Sequence, residues 1–158
     1  MPLIAFSSTA KGEFYEEVVA HAGTILQGQR NWCTNLANVA AMLYHSFHAS
    51  PDPKHQKVNW VGFYLANDRH SPSVLWLGPF QGKIACTSID FDRGICGLAA
   101  SSQSTQVISD VHDHPSHIAC DPNSKSEIVI PLANCQGRVL GVLDVDCAEV
   151  DGFTEEDK

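Results

Sequence analysis

The sequence lacks any apolar run close to the ~20 residues that would span a bilayer. Its first residues, Met1-Pro2-Leu3-Ile4-Ala5-Phe6, have neither the basic stretch nor the small-residue cleavage site of a secretory signal. These absences predict a cytoplasmic chain with no membrane partner. Basic residues are scarce: 10 Lys and Arg stand against 18 Asp and Glu, for a net charge of −8. Nucleic acids select for basic faces, so none is expected as a partner. No repeat, low-complexity tract or linker divides the chain, so residues 1–158 read as one domain. With 44% hydrophobic residues it can bury a core unaided. There is no CxxC pair and no HExxH. His112, His114, His117 and Cys120 are zinc-ligand types without regular ligand spacing, so no metal is expected, and a zinc-binding regulator is the weakest reading.

Six cysteines stand out in a cytoplasmic chain, at 33, 86, 96, 120, 135 and 147. Thiols there stay reduced unless a disulfide is transient and catalytic. Cys33 on a helix, Cys135 at a turn and Cys147 at a strand end read as idle. Cys86 and Cys96 flank a short segment, and Cys120 lies in Asp110–Ser126, a long polar stretch of the kind that forms lids. A reactive thiol needs access and a setting that favours thiolate. Nearby histidines would favour it and Asp121 would oppose it. The residues alone leave redox and packing roles both open.

Apolar residues recur at helical spacing over Gly12–Gly28 and again over Asn31–Phe47, with Asn31 as N-cap. Pro51 and Pro53 end the helical region. The period then changes. Val58–Leu65 reads as a strand, Ser73–Phe80 as its hairpin partner, and Gly94–Ser102 as a short helix. Thr105–Ser109, Glu127–Leu132 and Arg138–Asp146 read as strands, the last two joined by a turn at Asn134–Gly137. This order predicts an α+β fold, an antiparallel sheet backed by helices on one face. Asp144 and Asp146 fall on one face of their strand and Leu143 and Val145 on the other. Trp60 and Tyr64 share a strand face in the same way.

Five segments in order resemble the free methionine-(R)-sulfoxide reductases, a GAF-domain family. They are Trp60-Val61-Gly62-Phe63-Tyr64, Gly78-Pro79-Phe80-Gln81-Gly82-Lys83-Ile84-Ala85-Cys86, Arg93-Gly94-Ile95-Cys96-Gly97, His117-Ile118-Ala119-Cys120-Asp121 with Ser126–Pro131, and Gly141–Asp146. The resemblance runs from about residue 14 to the end. It implies a central six-stranded antiparallel sheet with helices on one side and a closed pocket on the other. It also implies Cys120 as nucleophile, Cys86 and Cys96 as the other redox cysteines, Trp60 and Tyr64 as pocket aromatics, and Glu127, Asp144 and Asp146 as pocket carboxylates. No bound cofactor is implied. An external dithiol reductant of the thioredoxin type and a homodimer are. Members of the family usually continue beyond the Gly-Phe-Thr-Glu-Glu-Asp segment into a helix. Here the first turn alone is expected, with Thr154 as N-cap, and with it a loose end.

The implied chemistry suits these residue types. A thiolate takes the sulfoxide oxygen and becomes a sulfenic acid, which condenses with a second thiol. An external dithiol then opens the disulfide. A carboxylic acid with a raised pKa can protonate the departing oxygen, and a buried anion can pair with the ammonium of a free amino acid. The rival from another class is a GAF sensor module that binds a small molecule without chemistry.

Overall fold

In the computed structural model, residues 8–67, 71–114 and 121–158 are described, apart from the side chains of residues 67, 71 and 72. Helix α1 spans Lys11–Leu26 and α2 spans Trp32–His48. Asn31 caps α2, its side chain accepting from the Thr34 amide at 3.0 Å. After a 3-10 turn at His55–Lys57 come strands β1 (Val58–Asn67), β2 (Ser71–Gln81) and β3 (Ser88–Asp90). Helix α3 follows at Gly94–Ser102, then β4 (Gln106–Ile108), β5 (Ser126–Ala133) and β6 (Val139–Cys147). The six strands form one antiparallel sheet in the order β3-β2-β1-β6-β5-β4. Strand β3, absent from the sequence reading, is three residues long and pairs with β2 through Leu75 and Ile89. No described helix is long and apolar enough to cross a membrane.

Period-two alternation sorts the residues of β1, β5 and β6 into two layers. Val61, Ile128 and Val145 pack with Phe14, Val18 and Phe47 under α1 and α2. Trp60, Tyr64, Val129 and Val142 pack with Ile95, Cys96 and Ala99 of α3 on the opposite face. Gly97 lets α3 come close: a Cβ there would strike the Asp90 carbonyl of β3.

The end of the chain corrects an expectation. It is not loose. Thr154 caps a 3-10 turn at Glu155–Asp157, and the Asp157 side chain is 1% exposed. Its carboxylate lies 2.7 Å from Lys11 Nζ and 3.0 Å from His55 Nε2, and it accepts from the Tyr15 hydroxyl at 2.5 Å. Ser50 Oγ meets the other ring nitrogen of the fully buried His55 at 2.9 Å. Burial alone would raise the Asp157 carboxyl, but hydrogen bonds from His55, Lys11 and Tyr15 outweigh it and hold the group well below its ordinary range. Its stabilising contribution is therefore complete above about pH 4 and is lost as the pH falls through the lowered value. Asp157→Asn is expected to cost about 3 kcal/mol at neutral pH. The gap from wild type should narrow in acid, and melting curves from pH 2 to 7 check both.

Candidate functional site

The pocket face is built in rows across three adjacent strands. Trp60 of β1 pairs with Asp146 of β6, which pairs in turn with Glu127 of β5. The next row is Gly62, Asp144 and Val129, and the third is Tyr64, Val142 and Pro131. The register thus gathers Trp60, Tyr64, Glu127, Asp144 and Asp146 into one cavity. The first turn of α3, Gly94 to Cys96, closes one side, and Asp121 and Ser124 stand at another. The cavity measures about 40 Å³, room for a few waters at most.

Trp60 lies between Phe80 and Tyr64, stacked at ring-centroid distances of 5.3 and 5.9 Å. Gly62 makes this possible, since a Cβ there would collide with the indole and with Phe80. The polar ends of the aromatics grip the loop that carries Cys86. Trp60 Nε1–H donates to the Lys83 carbonyl at 3.0 Å, and the Tyr64 hydroxyl donates to the Cys86 carbonyl at 3.2 Å.

The electrostatics are dominated by buried acid. Glu127 is 7% exposed and Asp144 8%. Burial pushes the Asp144 carboxyl up to about 7, while a hydrogen bond from the Cys96 thiol pulls in the other direction. Glu127 and Asp146 are pushed well above the ordinary carboxyl range, by burial first and then by Asp144 beside them. Asp144 Oδ1 has no hydrogen-bond partner among the described residues. Burial, then the charges of Asp144 and Glu127, also push the Cys96 thiol well up. These carboxyls therefore ionise less readily than exposed ones, and a cation placed among them would favour their charged form.

The cysteines divide sharply. Cys96 is buried in α3 with a free thiol. Cys86 is half-buried beside the pocket and disulfide-bonded. Cys33 and Cys135 are free and exposed, and Cys147 is free and buried in the helix-side core. Cys120 and His117 lie outside the described residues, as does most of the middle of the expected lid. Among the described residues, no group of three or more His, Cys, Asp or Glu could hold a metal ion. Asn59, Lys83 and Ser124 also stand at this site, and no sequence signal marks them. Polar residues in loops and at a strand start carry no periodic signal.

The GAF domain family matches residues 12–158. The free methionine-R-sulfoxide reductase of Saccharomyces cerevisiae is 40% identical over 152 residues, which is 96% of this chain and 82% of that protein. The chain belongs to the GAF-domain family of free methionine-R-sulfoxide reductases. The Escherichia coli free methionine-R-sulfoxide reductase is 41% identical over 148 residues, 94% of this chain and 82% of that one. The GAF fold agrees in space as well. The X-ray structure of the Neisseria meningitidis free methionine-R-sulfoxide reductase in complex with its substrate has a TM-score of 0.88 and 42% identity, covering 99% of this chain and 87% of that one.

Proposed function

We propose that this chain reduces free L-methionine-(R)-sulfoxide to L-methionine, with Cys120 as the nucleophile. The observation that supports this best is the trio of pocket carboxyls, Glu127, Asp144 and Asp146, facing a wall of Trp60 and Tyr64. The trio suits a ligand that brings its own ammonium, and the aromatic wall suits a sulfur-bearing methyl group. The first-turn amides of α3 have no partner within the helix and suit the ligand carboxylate. An oxidoreductase of this kind is what the yeast and Escherichia coli relatives are named for.

In the first step the Cys120 thiol and the sulfoxide give a Cys120 sulfenic acid and methionine, the oxygen passing from the substrate sulfur to the cysteine sulfur. In the second, the sulfenic acid and a second thiol give a disulfide and water. An external dithiol, such as a thioredoxin-like protein, then exchanges with that disulfide and restores both thiols. Of the two candidate resolving cysteines, the reading favours Cys86. It is the one in a disulfide, whereas the Cys96 thiol is held protonated among acids. One of the raised carboxyls supplies the proton to the departing oxygen, and the others pair with the ammonium. A homodimer in the cytoplasm completes the proposal.

The test is a single turnover with reduced protein and no external reductant. One methionine per chain should form as two thiols disappear, and peptide mapping should recover a Cys86–Cys120 link. Methionine formed without loss of thiols would defeat the reading. Changing Cys33→Ser, Cys135→Ser and Cys147→Ala together should leave turnover within about twofold. The only cost expected is a stability loss of roughly 1–2 kcal/mol from the buried Cys147. A selective collapse of activity in folded protein would place one of these thiols in the relay.

A further inference from the structure

Strand β1 is irregular where it enters the pocket. Val58 pairs with Cys147 and Trp60 with Asp146, so two steps on β1 match one on β6 and Asn59 is the extra residue of a bulge. A bulge re-aims a side chain. Here it turns Asn59 toward the same pocket mouth as Trp60. Asn59 Nδ2 donates to Ser124 Oγ at 3.0 Å and to Asp121 Oδ2 at 3.4 Å. Asp121 opens a tight turn: its carboxylate accepts from the Asn123 amide at 3.0 Å and its carbonyl accepts from the Ser124 amide at 3.1 Å. Across the mouth, Lys83 Nζ lies 3.1 Å from Asp121 Oδ2. Lys83 belongs to the loop that β1 already grips through Trp60 and Tyr64.

One strand therefore holds two loops: the 82–87 loop, which carries Cys86, and the Asp121–Ser124 turn, which directly follows Cys120. The Lys83–Asp121 pair joins them. We propose that Asn59 and Lys83 are positioning residues for the thiol exchange, clasping the turn after Cys120 onto the loop that carries Cys86. This rests on the reading above that Cys86 and Cys120 form the reaction disulfide. Lys83 is mostly exposed, so its ion pair adds little to fold stability. Its effect is geometric. It raises the effective concentration of one thiol at the other, and this sets how firmly the disulfide closes.

The experiment is equilibration of the full-length protein in glutathione buffers: two glutathiones and the protein disulfide exchange with glutathione disulfide and two protein thiols. Peptide mapping of the oxidised form and melting of the reduced form accompany it. Lys83→Gln should open the disulfide at a reduced-to-oxidised glutathione ratio, [GSH]²/[GSSG], about 3-fold lower than wild type, and Asn59→Asp at one about 10-fold lower. Lys83→Arg, which keeps the cation, should stay within about twofold of wild type. The reduced variants should melt close to wild type, because a merely structural role would move the melting point and not the redox midpoint. Unchanged midpoints in Lys83→Gln and in folded Asn59→Asp overturn the clasp and leave the Cys86–Cys120 reading standing. Mapping that finds no Cys86–Cys120 link in wild type overturns both.

Discussion

Cys120→Ser is expected to abolish sulfoxide reduction, lowering turnover by at least ~10³-fold, while the protein melts as wild type does. A hydroxyl at this position is a far poorer nucleophile than a thiolate and cannot hold the transferred oxygen in an exchangeable form. The variant should still bind methionine, since the pocket walls of β1, β5, β6 and α3 are untouched. It should also release Cys86 as a titratable thiol in oxidising buffer. Wild-type turnover in the purified serine variant would refute the assignment of the nucleophile.

N-acetylation of the substrate is expected to lower catalytic efficiency by about 10²–10³-fold, because it removes the ammonium and adds little bulk. Within the pocket, Glu127 and Asp146 are held above the ordinary carboxyl range by burial and by the acid beside them. Asp144 Oδ1 has no hydrogen-bond partner among the described residues. An ammonium entering this cluster favours ionisation of a carboxyl beside it and forms a buried ion pair. An acetamide brings no cation, so that pair is not made, a deficit of about 3–5 kcal/mol by comparison with a buried pair that loses one partner. Peptide-bound methionine sulfoxide should fare no better. Asp144→Asn and Asp146→Asn should weaken use of the free amino acid and narrow its advantage over the acetylated form. Equal efficiency on the two substrates would overturn the pocket reading even with Cys120 confirmed as nucleophile.

Periodicity accounts for what could be read in advance. The alternation in Leu143-Asp144-Val145-Asp146 assigns each residue to a face without knowledge of neighbouring strands, and the structure keeps that assignment. The Asn31 cap and the Gly94–Ser102 helix are local signals and were legible for the same reason. Ser88–Asp90 is too short to show a period and becomes a strand only because Leu75 of β2 lies opposite Ile89. The tie between Lys11 and Asp157 joins residues 146 apart in sequence, so nothing near either one announces it. Asn59 was hidden differently. Its role comes from a slip in pairing against β6, and a strand's own sequence does not record its partner's register.

The alternation along β6 has a consequence for how the chain reaches this structure. Leu143 and Val145 face the layer under α1 and α2, while Asp144 and Asp146 face the pocket. Shifting β6 by a single residue would exchange the two sets and press both aspartates into the layer formed by Phe14, Val18 and Phe47. Unpaired charge in such a layer costs several kcal/mol per group, so mispaired intermediates are rejected early. The acids that strain the finished pocket thus proofread strand pairing during folding. A redesign that replaced Asp144 and Asp146 by leucine to admit uncharged ligands would relieve the native state and remove that check. More misregistered, aggregating product should follow, even from a protein that melts higher.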